Sequence, residues 1–172
     1  MKGRLERVDR LGPDRRRQMF ALLARHFDGV SEAVFAADLD EKNWALLFED
    51  EGALVGFSTL LLHPFVHRGE TLTVVYSGDT IVDPAAWGTP ALPRLWIHAV
   101  RKLHAEEGQG GRLVWLLIAS GFRTYRFLPV FWRDFHPRHD LPMTPEVASL
   151  RDALARARFG DRYDPARGVV RL

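Results

Sequence analysis

Apolar residues follow two different spacings along this chain, and the places where the spacing switches predict its elements. Arg4 to Leu11 reads as a short first strand. Gly12-Pro13-Asp14 opens a helix to about Phe27, because Met19, Phe20, Leu22, Leu23 and Phe27 fall at helical spacing. Ser31 suits the N-cap of a second helix ending near Asp38, with Val34, Phe35 and Leu39 facing inward. Asn43 to Glu49 and Ala53 to His63 are apolar runs on either side of Asp50-Glu51-Gly52, the composition of a hairpin. Arg68-Gly69-Glu70 turns the chain again, into a strand from Thr71.

Pro93 to Glu107 predicts a helix with Leu95, Trp96, Ala99, Val100 and Leu103 along one face. Gly108 to Gly111 stops it. Arg112 to Ala119 is nearly all apolar, the pattern of a strand covered on both faces. Ser120-Gly121 opens another helix, with a bend at Pro129, and Pro137 to Pro142 forms a loop. Pro145 to Arg158 is a short amphipathic helix, and Gly168 to Leu172 reads as a terminal strand. The order β-α-α-β-β-β-α-β-α followed by a tail is that of a mixed α/β protein. The helix between the Thr71 strand and the Arg112 strand is a crossover, so those two strands are predicted to run parallel.

Composition narrows the function classes only a little. The 172 residues suffice for one domain with a sizeable core, and 47% apolar with 27% charged residues is ordinary for a soluble globular protein. No apolar run approaches a membrane span, and the charged start MKGRLERVDRLGPDRRR lacks a signal-peptide core, so a cytoplasmic protein is expected. The absence of cysteine removes disulfides, thiolate metal sites and cysteine nucleophiles. A formal net charge of +2 argues against nucleic acid as a partner. Residues 120 to 172 carry ten Arg against six acidic residues, which reads as a solvated face or as an anion-facing surface. His63 and His67 flank Pro64, and His136 and His139 flank Pro137, so neither pair has the geometry of a metal site and no metal is expected. No Ser-His-Asp order, phosphate-binding lysine loop or HExxH motif is present.

The chemistry concentrates in TLTVVYSGDTIVDPAAWGTPAL, Thr71 to Leu92. A strand feeds a turn, and Trp87-Gly88-Thr89 stands where the next helix opens. Such a helix start presents free backbone N–H groups to an anion and suits the pyrophosphate of coenzyme A. Gly78 within the strand marks a bulge, a close backbone approach or a simple kink. Asp79 lies among Val and Ile residues, where a carboxylate is costly without partners or a task. The helix SGFRTYRFLPVFWRDF is dense in aromatic residues, which read as core beneath the helix or as the wall of an apolar acyl pocket.

Val82-Asp83-Pro84-Ala85-Ala86-Trp87-Gly88-Thr89-Pro90-Ala91-Leu92, in this element order, resembles the GNAT-type acyl-CoA N-acyltransferase superfamily over about Arg4 to Phe135. That family ends its fourth strand in V-x-P-x-x-R-G-x-G-x-G/A. Val82, Pro84 and Gly88 match, while Trp87 replaces the arginine, Pro90 the second glycine and Leu92 the last small residue. Pro90 offers no N–H, and Trp87 cannot form an ion pair but can pack on an adenine or an acyl chain. The resemblance implies a single-domain α/β fold, a GNAT-like mixed sheet with helices on both faces. It implies an acyltransferase domain over residues 1–140, with 141–172 as a C-terminal helix and tail packed on the same domain.

The activity so implied is acyl transfer from coenzyme A to an amine of a small molecule. An acyl carrier protein bearing phosphopantetheine, which needs less pyrophosphate grip, suits the altered loop equally well. The alternative is a catalytically inactive binding module that keeps the fold, and a homodimer is compatible with either. Carried over by resemblance, the donor would lie on Ile81, Val82, Trp87, Gly88, Thr89, Ala91, Leu92 and Ser120. Asp79 would be the base or a substrate anchor, against the plain reading of a solvent-facing or turn-capping carboxylate. Ser77 would polarise a carbonyl, against that of a strand hydroxyl bonded to backbone. The family's tyrosine acid falls near Phe131 or Trp132, so Tyr125 would have to replace it, against that of a core tyrosine with its hydroxyl at the surface.

Overall fold

Five strands, β1 (Lys2–Arg7), β2 (Trp44–Asp50), β3 (Ala53–His67), β4 (Glu70–Val82) and β5 (Arg112–Leu116), form one sheet in that order. The computed structural model describes residues 1–86, 91–108, 110–119 and 121–171. β1 and β2 pair antiparallel with Leu5 opposite Leu46, and β2 and β3 pair antiparallel with Leu47 opposite Phe57. Arg68 and Gly69 both take positive φ between β3 and β4, the two-residue hairpin turn that matches strand twist. β4 and β5 start side by side: Arg112 pairs with Glu70 at 3.3 Å, and Trp115 reaches Ser77 further along. The two strands therefore run in the same direction, joined through α3 (Ala91–Glu107) as the crossover requires.

The chain divides into two compact units. The first holds Met1–Val66 and Glu70–Trp115, and the second His67–Gly69 and Leu116–Leu172. In the first unit, α1 (Pro13–His26) and α2 (Glu32–Asp40) cover one sheet face. Met19, Leu22, Leu23, Phe35 and Leu39 from these helices join Ala45, Leu47, Phe57 and Ile81 in a buried cluster. The other face belongs to α3: Leu95 packs on Gly3, and Trp96 bonds to Ser58, the residue after Phe57 and so on the opposite side of β3. Helices on both faces of the sheet follow from this alternation.

Gly56 lies where β3 meets the end of β4. A Cβ there would stand 2.7 Å from the Ile81 carbonyl oxygen and 3.1 Å from the Val82 Cα, both backbone atoms that cannot swing away. Gly56→Ala is expected to cost about 1–3 kcal/mol of stability in urea denaturation. An unchanged midpoint would contradict that close approach.

In the second unit, α4 (Phe122–Tyr125) and α5 (Phe127–Phe131) precede α6 (Pro145–Phe159). Thr144 caps α6, its hydroxyl accepting from the Val147 N–H at 3.4 Å. A small hairpin pairs β6 (Tyr163–Asp164) with β7 (Val169–Val170), and the Tyr163 hydroxyl donates to Asp152 at 2.6 Å.

Several expectations change. The first strand begins at Lys2 and ends at Arg7, with Val8–Arg10 a 3-10 turn. Val34 is 69% exposed, because Phe35 and Leu39, one turn apart, carry the buried stripe of α2 and Val34 lies about 100° off it. Ser31 precedes α2, but its side chain makes no capping bond. β5 stops at Leu116 and has no fully buried residue, because it is the last strand of its sheet. The aromatic helix breaks at Arg126, not Pro129: proline offers no N–H to the carbonyl four residues back and crowds it, so the interruption falls upstream.

Candidate active site

β4 does not keep a strict period of two. Ser77 and Thr80, three residues apart, both point to the α3 face. The Ser77 hydroxyl accepts from the Trp115 indole N–H at 3.0 Å. Thr80 shares a 2.8 Å hydrogen bond with Ser58, whose oxygen also accepts from the Trp96 indole at 3.2 Å. The two indoles lie 4.4 Å apart and close the network. Two side chains three apart on one face require an extra residue between them, which is a β-bulge at Gly78-Asp79.

The other face confirms the bulge. Tyr76 lies under the Lys42 ammonium, 5.6 Å from its ring centre, and Ile81 enters the cluster beneath α1 and α2. A Cβ on Gly78 would stand 2.5 Å from Thr59 Oγ1 and 2.8 Å from Lys42 Cε. Glycine here thus answers both to a bulge and to a close approach. The bulge turns Asp79 toward Lys42 and Asp38, whose charges act on it.

Asp79 is half-buried and has no hydrogen-bond partner among the described residues. Burial pushes its carboxyl above the usual carboxylate range, the neighbouring Asp38 charge adds to that, and Lys42 opposes both. Lys42 is itself buried, its ammonium held at 2.7 Å by the Asp38 carboxylate and at 2.9 Å by the Asp38 carbonyl. The buried Thr59 Oγ1 beside them has no hydrogen-bond partner among the described residues. The Asp79 carboxylate, with its proton affinity raised in this way, can take a proton from a cation brought against it.

The remaining predicted residues separate. Ser77 sits on the face opposite Asp79, bonded to an indole rather than to backbone. Ile81 is buried in the core, and Val82 ends β4 against Gly56. Ala91 and Leu92 are the first two residues of α3. Trp87, Gly88, Thr89 and Ser120 lie outside the described residues, as does Pro90. Asp83 caps the turn after β4, accepting from the Ala85 N–H at 3.0 Å and meeting Arg25 at 3.2 Å. β5 ends beside the middle of β4, so the Gly78–Val82 edge of β4 runs on past its neighbour.

In the second unit, the Tyr125 hydroxyl donates to the Pro137 carbonyl at 2.9 Å, and its ring meets Phe135 edge-on at 6.4 Å. The aromatic residues of this stretch are not core: α5 has no buried residue and Phe122 is 70% exposed. Phe122, Tyr125, Pro129, Trp132 and Phe135 instead border a cleft of about 440 Å³.

Lys42, Asp38 and Thr59 were not singled out from sequence. The one local signal was the four-residue spacing of Asp38 and Lys42, which brings opposite charges together at a helix end. Among the described residues, no helix is long and apolar enough to cross a membrane, and no three His, Asp or Glu side chains group as a metal site.

No protein-family model and no curated protein matches this sequence. Solved structures do. A ribosomal-protein-alanine N-acetyltransferase from Brucella melitensis biovar Abortus 2308 superposes with a TM-score of 0.60 at 16% identity, over 84% of this chain and 100% of the other. The aminoglycoside N-acetyltransferase AAC(6')-Iy, bound to a bisubstrate analogue of coenzyme A and acetylneamine, gives 0.59 at 13% identity, over 84% and 99%. An aminoglycoside acetyltransferase from an uncultured soil metagenome, in complex with sisomicin, gives 0.54 at 15% identity, over 83% and 93%. With its five-stranded sheet, its crossover through α3 and these superpositions, the chain has the fold of the GNAT-type N-acyltransferases.

Proposed function

We propose that this protein transfers an acyl group from a coenzyme A thioester to an amine of a small molecule, with Asp79 as the base. The observation that carries this reading is a half-buried carboxyl without a hydrogen-bond partner among the described residues, at a bulge of β4 in a GNAT-type fold. The acceptor ammonium loses a proton to the Asp79 carboxylate. The freed amine nitrogen attacks the thioester carbonyl carbon, the C–S bond breaks as the nitrogen gives up its surplus proton to solvent, and the departing thiolate takes a proton from the Asp79 carboxyl, which leaves the free thiol and restores the carboxylate. No step is assigned to Ser77 or Tyr125, whose hydroxyls are engaged by Trp115 and by the Pro137 carbonyl.

The Gly78–Val82 stretch, which continues past the end of β5, supports a donor lying along β4. The first turn of α3, at Ala91 and Leu92, would receive the phosphates. The same features suit phosphopantetheine on an acyl carrier protein. Two of the structural neighbours name an aminoglycoside in their complexes or activity and one names a ribosomal-protein alanine, which supports an amine acceptor.

Thermal unfolding with acetyl-, octanoyl- and palmitoyl-CoA, and with an acylated carrier protein, tests the donor. A thioester at about 100 times its Kd stabilises by about 2.7 kcal/mol. For a chain of this size that is a rise of roughly 5–10 °C in Tm. Release of coenzyme A in the presence of neamine or of a peptide with an N-terminal alanine then tests the acceptor. No shift with any donor would sink the acyltransferase reading and favour a non-catalytic module.

A further inference from the structure

The reaction scheme leaves one buried charge without a role. Lys42 lies after α2, its side chain wholly shielded from solvent, with its ammonium 2.7 Å from one Asp38 oxygen. A lone ammonium in this position is costly, and a methionine would fill the same space without the cost. Its stem, however, occupies the space a Cβ on Gly78 would need, and its head lies over the Tyr76 ring, two residues earlier on β4. Lys42 therefore touches the strand on the Tyr76 side of Asp79 and at the bulge itself, while Asp38 anchors it to α2.

We propose that Lys42 is the positioning residue of this site: clamped by Asp38 and packed on the bare backbone of Gly78, it holds the bulge that turns Asp79 inward and supplies the counter-charge for the Asp79 carboxylate. The proposal rests on the reading of Asp79 as the base. Among the described residues, the titratable and charged groups facing Lys42 are Asp38 from α2 and Tyr76 and Asp79 from β4, and β3 adds the Thr59 hydroxyl. With both carboxyls ionised, this cluster carries two negative charges against one positive. Removal of the ammonium leaves the carboxylates facing each other uncompensated, so Asp79 holds its proton to higher pH. Lysine also accounts for glycine at 78, since any side chain there would displace it.

Lys42→Met keeps the length and removes the charge. Carbon-13 NMR of the aspartate carboxyls, with Asp79→Asn supplying the assignment, is expected to show the Asp79 midpoint rising by about one pH unit or more. The acidic limb of the kcat/KM profile for neamine with acetyl-CoA should move upward by the same amount, which lost packing alone would not produce. An unchanged Asp79 midpoint would overturn the proposal. Should Lys42→Met not fold, nitrogen-15 NMR of the Lys42 ammonium in the unaltered protein decides. Its signal is expected to shift with the Asp79 midpoint, and a flat response overturns the role. Full activity in Asp79→Asn would instead refute the base while leaving both NMR results readable. Loss of activity in Asp79→Asn with no movement in Lys42→Met would refute Lys42 alone.

Discussion

Asp79→Asn is expected to lower kcat/KM for acyl transfer by about 10²–10⁴-fold, the range a positioned general base contributes. Asparagine keeps the shape of the side chain and loses only the ability to take the proton. The folded protein should tolerate the change, because the carboxyl it replaces is half-buried and makes no hydrogen bond to any described group. A gain in stability is expected at neutral pH. Asp79 holds its proton in the folded chain to a higher pH than in the unfolded chain. Between those two pKa values the folded state binds more protons, so stability falls as pH rises through the window. Asparagine removes that slope, and urea denaturation at acid and at neutral pH would show the difference. Activity runs the other way: kcat/KM of the unaltered enzyme should rise with pH through the elevated Asp79 pKa, since only the carboxylate is a base. A variant as active as the parent would end the assignment.

Phe57→Ala should produce the largest loss of stability, about 3–5 kcal/mol. The ring is fully buried, stands edge-on to Phe35 at 6.1 Å and opposes Leu47 across the β2–β3 pair. It joins α2 to the sheet. A domain whose whole stability is about 5–15 kcal/mol would be left marginal. Phe122→Ala is the control: that ring is 70% exposed and its removal should cost no more than about 0.5 kcal/mol. Urea midpoints measure both. A Phe57→Ala loss near that of the control would mean that this cluster is not the core of the sheet.

The elements were legible because their signals are local. Helical spacing of Met19, Leu22 and Leu23, proline at the start of α1, and glycine after Asp50-Glu51 predict structure within a few residues. The crossover through α3, and with it the parallel direction of β4 and β5, needs only element order and handedness. Asp79 could be singled out since a carboxylate in a run of Val and Ile is anomalous by itself.

What failed depended on neighbours distant in sequence. Val34 is apolar and helical, yet nothing in α2 says that the sheet meets only the stripe through Phe35 and Leu39. The run RLVWLLIA reads as a doubly covered strand, but the place of its strand at the end of the sheet decides its exposure. The aromatic residues from Phe122 to Phe135 look like core by composition, whereas their short, broken helices leave them half-buried or exposed. β6 is two residues long and acquires meaning only by pairing with β7.

By itself, then, the chain determined its order of strands and helices, the hairpins, and the strand on which chemistry would be sought, because spacing, turn residues and capping act within one or two turns of backbone. Only tertiary structure decided which side of that strand is the site. One inserted residue at Gly78-Asp79 sends Ser77 to the indoles of Trp96 and Trp115 and Asp79 to Asp38 and Lys42. Burial and charge then set the proton affinity of that carboxyl, and both come from residues some 40 positions away, which no pattern around Asp79 encodes.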